Sequence, residues 1–247
     1  MRTRALASAC VLGLFGLVGL AWPHVAFADP WRDMAGQTDV APALRQVVML
    51  TALSMIPALL IAMTSFTRIV IVLSMIRGAL GLQQTPPNVV IITLSLFLTL
   101  FSMSPVLQAA KERAVDPWIA KSMDTGTAVA AGFQPFKEFM IRQTREGDLR
   151  AVVDMAHAPQ PKNLDEVQPL HLIPAFMLSE LRTAFQIGFV IFLPFLLIDL
   201  VVAAILMSLG MIMVPPATVS LPLKILLFLL INGWVLVAQA LLGSYRH

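Results

Sequence analysis

The chain has 247 residues, of which 58% are hydrophobic and 13% charged, with a mean hydropathy of +0.82 and a formal net charge of +3. Soluble domains have roughly 45–50% apolar and about 25% charged residues, so the composition favours a membrane-associated protein. The basic residues are scattered and form no stripe interleaved with aromatic side chains. Nucleic acid is therefore not an expected partner.

The first 28 residues have the pattern of a cleavable signal peptide. A basic start precedes a short apolar stretch, Ala5 to Leu20, and an A-x-A sequence ends at Ala28. We predict cleavage between Ala28 and Asp29; an uncleaved anchor helix is the alternative. The only cysteine, Cys10, lies in this segment. The mature chain, 29–247, would then have neither disulfides nor thiolate metal ligands.

Four apolar segments follow, and each approaches or exceeds the roughly 20 residues that cross a hydrocarbon core. They cover residues 47–76, 89–107, 187–209 and 221–242, and the polar section 108–173 divides them two and two. With the signal removed, the middle section would lie outside the cytoplasm.

The charge distribution does not support four simple membrane crossings. The two short loops, 78–88 and 210–220, would be cytoplasmic and should then be rich in Lys and Arg. Neither contains a basic residue; Arg77 only flanks the first. Helices buried within a protein assembly are therefore the other interpretation of these segments.

The middle section is predicted to be helical. Phe136, Phe139 and Met140 have the i, i+3, i+4 spacing of an amphipathic helix. A second helix is predicted from Asp148 to Ala156, with the Asp148 carboxylate capping free N–H groups at its start.

The last two apolar segments predict a hairpin that carries two charges, Asp199 and Lys224. A charge at mid-depth in an apolar helix costs at least a few kcal/mol, so such residues are by default functional or paired. They lie about 14 residues before and about 11 residues after Met213, at depths that differ by about one helical turn. An ion pair is within reach, either inside one hairpin or between subunits, and we expect it to fix the hairpin register. Lys224 contacting a substrate or another subunit is the alternative.

The sequence contains none of the common catalytic signatures. There is no G-x-x-x-x-G-K-[ST], H-E-x-x-H or G-x-S-x-G sequence, and the four histidines lie far apart. We therefore expect no enzymatic activity, cofactor or metal.

Several long motifs resemble the FliP family of flagellar biosynthetic proteins, which are core subunits of the flagellar type III export gate. The longest is PAFMLSELRTAFQIGFVIFLPFLLID at 174–199; MTSFTR at 63–68, QTRE at 143–146 and MVPPAT at 213–218 also match. The resemblance covers nearly all of the mature chain. Injectisome counterparts generally lack a signal peptide, so the predicted signal favours the flagellar branch.

The resemblance implies an all-α chain of membrane-associated helical hairpins and a helical periplasmic section. Five copies would form a helical funnel with a homologous single-copy subunit (FliR-like) and several small hairpin subunits (FliQ-like). The funnel would sit in the bacterial inner membrane, largely above its plane, inside the flagellar basal body. Unfolded flagellar substrates would thread through it.

The resemblance also assigns roles to single residues. Met211, Ile212 and Met213 would form a gasket that closes the pore, because unbranched, polarizable methionines adapt to varied peptides. Ile212 interrupts a run of three methionines typical of the family. Phe139 would be an aromatic plug at a constriction; without the resemblance it would be interpreted as a core residue.

Four charged residues are expected to be buried or to act in assembly: Asp199, Lys224, Glu180 and Arg182. Glu180 and Arg182 match the family motif at the entry to the third apolar segment and are candidates for subunit contacts. The alternative function is a small-solute transporter or ion channel with four true spans and Asp199 as a carrier site. Such a protein should show inverted internal repeats, and the two halves show no convincing match.

Overall fold

The computed structural model of the chain describes residues 41–161, 163 and 166–245. Within these residues every regular element is helical and no strand occurs, which confirms the all-α prediction. The predicted signal peptide, with its cleavage between Ala28 and Asp29, lies outside the described residues. The chain divides into two compact units, residues 1–55 and 56–247. In the first unit the described residues belong to helix α1.

In chain order, the helices of the described residues are α1 (Ala41–Ala62), α2 (Phe66–Ala79), α3 (Asn88–Ala110), a π-helical segment (Lys111–Val115), α4 (Asp116–Ile119), α5 (Thr125–Gln143), α6 (Glu146–Met155), α7 (Pro169–Ser208), α8 (Pro216–Leu230) and α9 (Gly233–Gly243).

Two of the predicted apolar helices are each divided in the structure. The segment 47–76 is broken between Ala62 and Phe66. The segment 221–242 is interrupted at Asn232, which adopts a left-handed conformation with φ of 50°, and α8 and α9 meet there at 62°. Asparagine is one of the few residues other than glycine that visit this conformation routinely, so it can end α8.

Helix α7 is longer than its apolar segment predicts. Residues 187–209 form only its C-terminal half; the helix starts at Pro169 and has 40 residues, which is about 60 Å. Its first five residues, 169–173, belong to the middle section, so one continuous helix connects that section with the apolar hairpin.

Three described helical stretches are long and apolar enough to cross a membrane: Leu44–Ala62, Asn88–Ile119 and Pro169–Ser208. The bent pair α8–α9 brings the number to four if it is one broken span. Four spans therefore remain compatible with the described part of the chain, with bounds that differ from the predicted segments.

Helix α2 lies at the centre of the second unit and packs chiefly against α7 and α3. Its Ile69, Val72 and Ile76 side chains are fully buried. Gly188 of α7 permits a close approach, because a Cβ there would lie 2.3 Å from the sulfur of Met75. This packing fixes the apolar hairpin against α2.

Candidate functional site: the α7–α8 hairpin tip and the ion networks behind it

The turn between α7 and α8 is determined by its glycine and prolines. The N–H of Gly210 donates to the carbonyl of Met207 at 3.1 Å, and the N–H of Met211 donates to that of Leu206 at 3.0 Å. These two bonds close α7 and require the positive φ of 75° that Gly210 adopts. Pro216 then begins α8, where its missing N–H costs nothing.

The apolar side chains at this tip are uncovered. Ile212 is 85% exposed and Met213 is 96% exposed, and Met211 is also exposed. Large apolar side chains grouped at a protruding tip are unfavourable in water and mark a contact surface. The hairpin therefore presents these three residues to something outside the single chain.

Asp199 and Lys224 form an ion pair within one hairpin. The Lys224 Nζ lies 2.6 Å from the Asp199 Oδ2 and 3.5 Å from the carbonyl oxygen of Ala79, which belongs to α2. The Ser220 hydroxyl also hydrogen bonds to the Asp199 carboxylate. The Lys224 side chain is 9% exposed and that of Asp199 is 40% exposed. The sequence left open whether this pair forms inside one hairpin or between subunits; in this structure it forms inside one hairpin.

A second ion pair lies deeper, between α2 and α7. The Arg68 Nε donates to the Glu180 Oε2 at 2.9 Å, and its Nη2 donates to Oε1, so the pair is bidentate. Both side chains are buried. The Arg68 Nη2 also donates to the Gln143 Oε1 of α5 at 3.3 Å. One buried guanidinium thus holds three helices together.

The end of the described chain completes this network. The Tyr245 hydroxyl donates to the Glu180 Oε2 at 2.9 Å, and the Arg68 guanidinium lies 4.0 Å above the Tyr245 ring. The Ser244 hydroxyl accepts from the Arg68 Nη1 at 3.0 Å. Burial raises the pKa of Tyr245 well above its usual range, so the phenol stays a neutral donor. Sequence reasoning missed both Arg68 and Tyr245; the signal for Arg68 was a lone charge in an apolar segment.

Arg182 and Asp148 join α6 to α7. The Arg182 Nη2 lies 3.3 Å from the Asp148 Oδ1, and the Ser179 hydroxyl donates to the Asp148 Oδ2 at 2.8 Å. The prediction that Asp148 caps its helix is wrong. Arg145 is the N-cap residue of α6, and the Asp148 carboxylate instead binds Ser179 and Arg182 of α7. Most of the Arg182 side chain stays exposed.

The comparisons with known proteins identify the family of the chain. The model of the FliP family matches residues 49–241, a stretch that includes the hairpin tip and the three ion pairs described above. The chain belongs to the FliP family. A protein of Pectobacterium carotovorum subsp. carotovorum is 52% identical over 82% of this chain and 77% of its own length. One of Bacillus subtilis is 46% identical over 84% and 94%, and one of Aquifex aeolicus 45% over 88% and 92%. Each is named flagellar biosynthetic protein FliP.

Two residues to which the FliP resemblance gave roles lie in the core of this chain. Glu180 is completely buried and bound to Arg68, so it offers no surface for the subunit contact expected of it. Phe139, the expected plug, is buried and packs edge to face on Phe176 at 5.8 Å. A plug at this position would require the Phe139 side chain to leave the core. The plug therefore stays a prediction, while in the single chain this residue is part of the packing.

Within the described residues, no group of three or more His, Cys, Asp or Glu side chains could hold a metal ion. The parts of this FliP-family site that another protein can contact are the exposed tip and Arg182.

Proposed function

We propose that this FliP-family chain is a core subunit of the flagellar type III protein export gate, through which unfolded flagellar substrates cross the inner membrane. The observation that carries the proposal is the exposed apolar tip at Met211–Met213, on a hairpin held by an ion pair whose lysine is buried and whose aspartate is half-buried. The names of its relatives as flagellar biosynthetic proteins support the flagellar setting. In this role the chain forms a conduit and catalyses no reaction.

The conduit is an assembly of several copies. Five copies, with one FliR-like and several FliQ-like subunits, form the funnel within the basal body. Support comes from the apolar side chains that the single chain leaves exposed along α3, α7 and α8, such as Phe101, Phe189 and Leu230. A chain with so much exposed apolar surface needs lipid or other subunits around it.

The tip acts as the gasket of this conduit. Flexible methionine side chains from several copies can close on one another and part around a passing peptide. Ile212 is β-branched and stiffer, so each copy contributes two adaptable side chains and one rigid one. The contact of Lys224 with α2 keeps the tip at a fixed distance from the rest of the subunit.

A small-solute transporter with Asp199 as its carrier site is the less favoured function. The Asp199 carboxylate is bound by Lys224 and Ser220 of its own hairpin, which leaves it poorly placed to take up a transported ion.

Disulfide crosslinking tests the proposal. In a Cys10→Ser background, which removes the only cysteine, Met213→Cys should form disulfide-linked dimers on mild oxidation of membranes, because tips of neighbouring copies meet. Met155→Cys, also at an exposed methionine but on α6, is the matched control and should stay monomeric. The same strain should show reduced secretion of flagellar proteins when the tips are locked together, with recovery after reduction. Absence of the Met213→Cys dimer, or equal dimer yields at both positions, would exclude a ring of tips.

A further inference from the structure

An apolar cavity of about 560 Å³ opens between α2, α3, α8 and α9. Leu73 of α2 and Leu80 just after it line the cavity, together with Val90 and Leu94 of α3, Leu229 of α8 and Trp234 of α9. Its volume is in the range of about 300–1,000 Å³ that small-molecule sites have. None of its lining residues belongs to the hairpin turn 210–215.

Water is a poor occupant of this cavity. Among its described lining residues, Thr85 and Trp234 carry the only polar side-chain groups. A buried water needs two to four hydrogen-bonding partners, and apolar cavities without them stay dry or take apolar ligands. The lining therefore selects a flexible hydrocarbon.

A guanidinium lies at the rim of this apolar cavity. The Arg77 Nη1 donates to the carbonyl oxygen of Pro86, a lining residue, at 3.2 Å, and to the Asn88 Oδ1 at 2.6 Å. Within the described part of the chain no carboxylate lies within ion-pair distance of Arg77. The loop 78–88 that follows it has no charged residue. Arg77 is thus a positioned cation without a counter-charge beside a hydrocarbon slot.

We propose that this cavity binds an anionic phospholipid, with one acyl chain in the cavity and the phosphate on Arg77. An arginine fork suits phosphate oxygens, and basic pockets between apolar helices bind lipid headgroups. A partner protein would have to supply an apolar side chain and a separate carboxylate, whereas a phospholipid carries the hydrocarbon and the anion in one molecule. The Arg77 charge beside the cavity therefore favours a phospholipid over a protein side chain as the occupant.

Photocrosslinking in intact membranes tests this site in the full chain. A benzophenone amino acid replaces Leu94, which lines the cavity, or Leu96, which is similarly exposed on α3 but does not line it. Adducts are identified by mass spectrometry. We expect acidic phospholipid on Leu94 at a higher share of the adducts than on Leu96.

The dependence on Arg77 separates a bound lipid from the surrounding bilayer. Arg77→Gln should lower the acidic-lipid adduct at Leu94 about five-fold, the change that one basic group near a membrane surface gives, and should leave the Leu96 adduct unchanged. Arg77→Lys, which keeps the charge, should recover most of it. Arg113→Gln, on the π-helical segment, is the control and should have no effect.

Two results would overturn the proposal. Crosslinking of Leu94 to a protein would show that a partner subunit covers the cavity, and an adduct insensitive to Arg77→Gln would show that the cavity samples bulk lipid. Yields are compared per membrane-inserted chain, so a variant that folds poorly does not imitate either result. The export function is independent of this outcome, since secretion of flagellar proteins is measured separately.

Discussion

At the scale of single residues, the buried charges of Arg68 and Glu180 are explained by partners inside the chain. A buried ion pair is stable only when its remaining lone pairs and protons are also satisfied. Tyr245 and Ser244 supply those extra bonds to the Arg68–Glu180 pair. The pair therefore joins α2, α7 and the end of the chain as one unit.

Removing the charge of Glu180 should be far more damaging than removing an exposed one. Glu180→Gln leaves Arg68 buried without a counter-charge, and we expect the free energy of unfolding to fall by about 3–5 kcal/mol. Glu138→Gln is the matched control, because Glu138 pairs with Arg113 at the surface, where both side chains are about half exposed. That variant should lose about 0–1 kcal/mol. Thermal unfolding in detergent measures both, and equal losses would contradict a special role for the buried pair.

At the scale of elements, the bend between α8 and α9 is produced by local packing. The Phe228 ring lies against Gly233 and meets Trp234 edge to face at 5.2 Å. A Cβ on Gly233 would lie 2.2 Å from the Phe228 ring. The bend thus needs a left-handed Asn232 and a bare backbone at the next position.

Gly233→Ala should displace the Phe228 ring and destabilise the α8–α9 corner by about 1–3 kcal/mol. Gly243→Ala lies in the same helix with no atom within 4 Å of its added Cβ, so it should be neutral or slightly stabilising. Limited proteolysis and thermal unfolding compare the two variants. If Gly233→Ala were as stable as Gly243→Ala, the ring contact would not be what shapes the corner.

At the scale of the whole molecule, the single chain leaves much of the apolar surface of its long helices uncovered. Its long helices bury few of their apolar side chains. In an 18-residue apolar stretch of α7, only 17% of the residues are buried within the chain. Such helices require an apolar environment outside the chain, and in the proposed gate the bilayer and neighbouring subunits would supply it. In the assembly that we propose, the Asp199–Lys224 pair would determine how the tip of each copy is presented to the others.

Charge reversal tests whether this pair controls assembly. Asp199→Lys and Lys224→Asp each place two like charges together and should shift the hairpin and reduce the yield of the extracted multi-subunit complex. The double reversal restores an ion pair and should recover much of the complex, as measured by native mass spectrometry. Reversing the exposed Arg113–Glu138 pair is the control and should leave assembly intact. A double reversal no better than either single one would exclude a pairing role.

Short-range signals in the sequence were enough for the fold class and for part of the site. Apolar segments near 20 residues predict helices because each helix satisfies its own backbone hydrogen bonds. The depth of Asp199 and Lys224 relative to the turn follows from the rise per residue, so their pairing could be predicted from the sequence. The gasket and the family came from the sequence motifs, and the comparisons confirm the family.

Only the tertiary structure decided how distant parts of the chain meet. Arg68 and Glu180 are separated by 112 positions in the sequence. The spacing of apolar residues within a helix does not indicate which other helix that face will contact. Periodicity placed Phe139 on an apolar face, but the same limit explains why it did not show that Phe176 covers this side chain. It also explains why the cavity between α2, α3, α8 and α9 beside Arg77 was not predicted. Periodicity and turn residues act over a few positions, whereas these contacts depend on side chains that fit together only after the helices have packed.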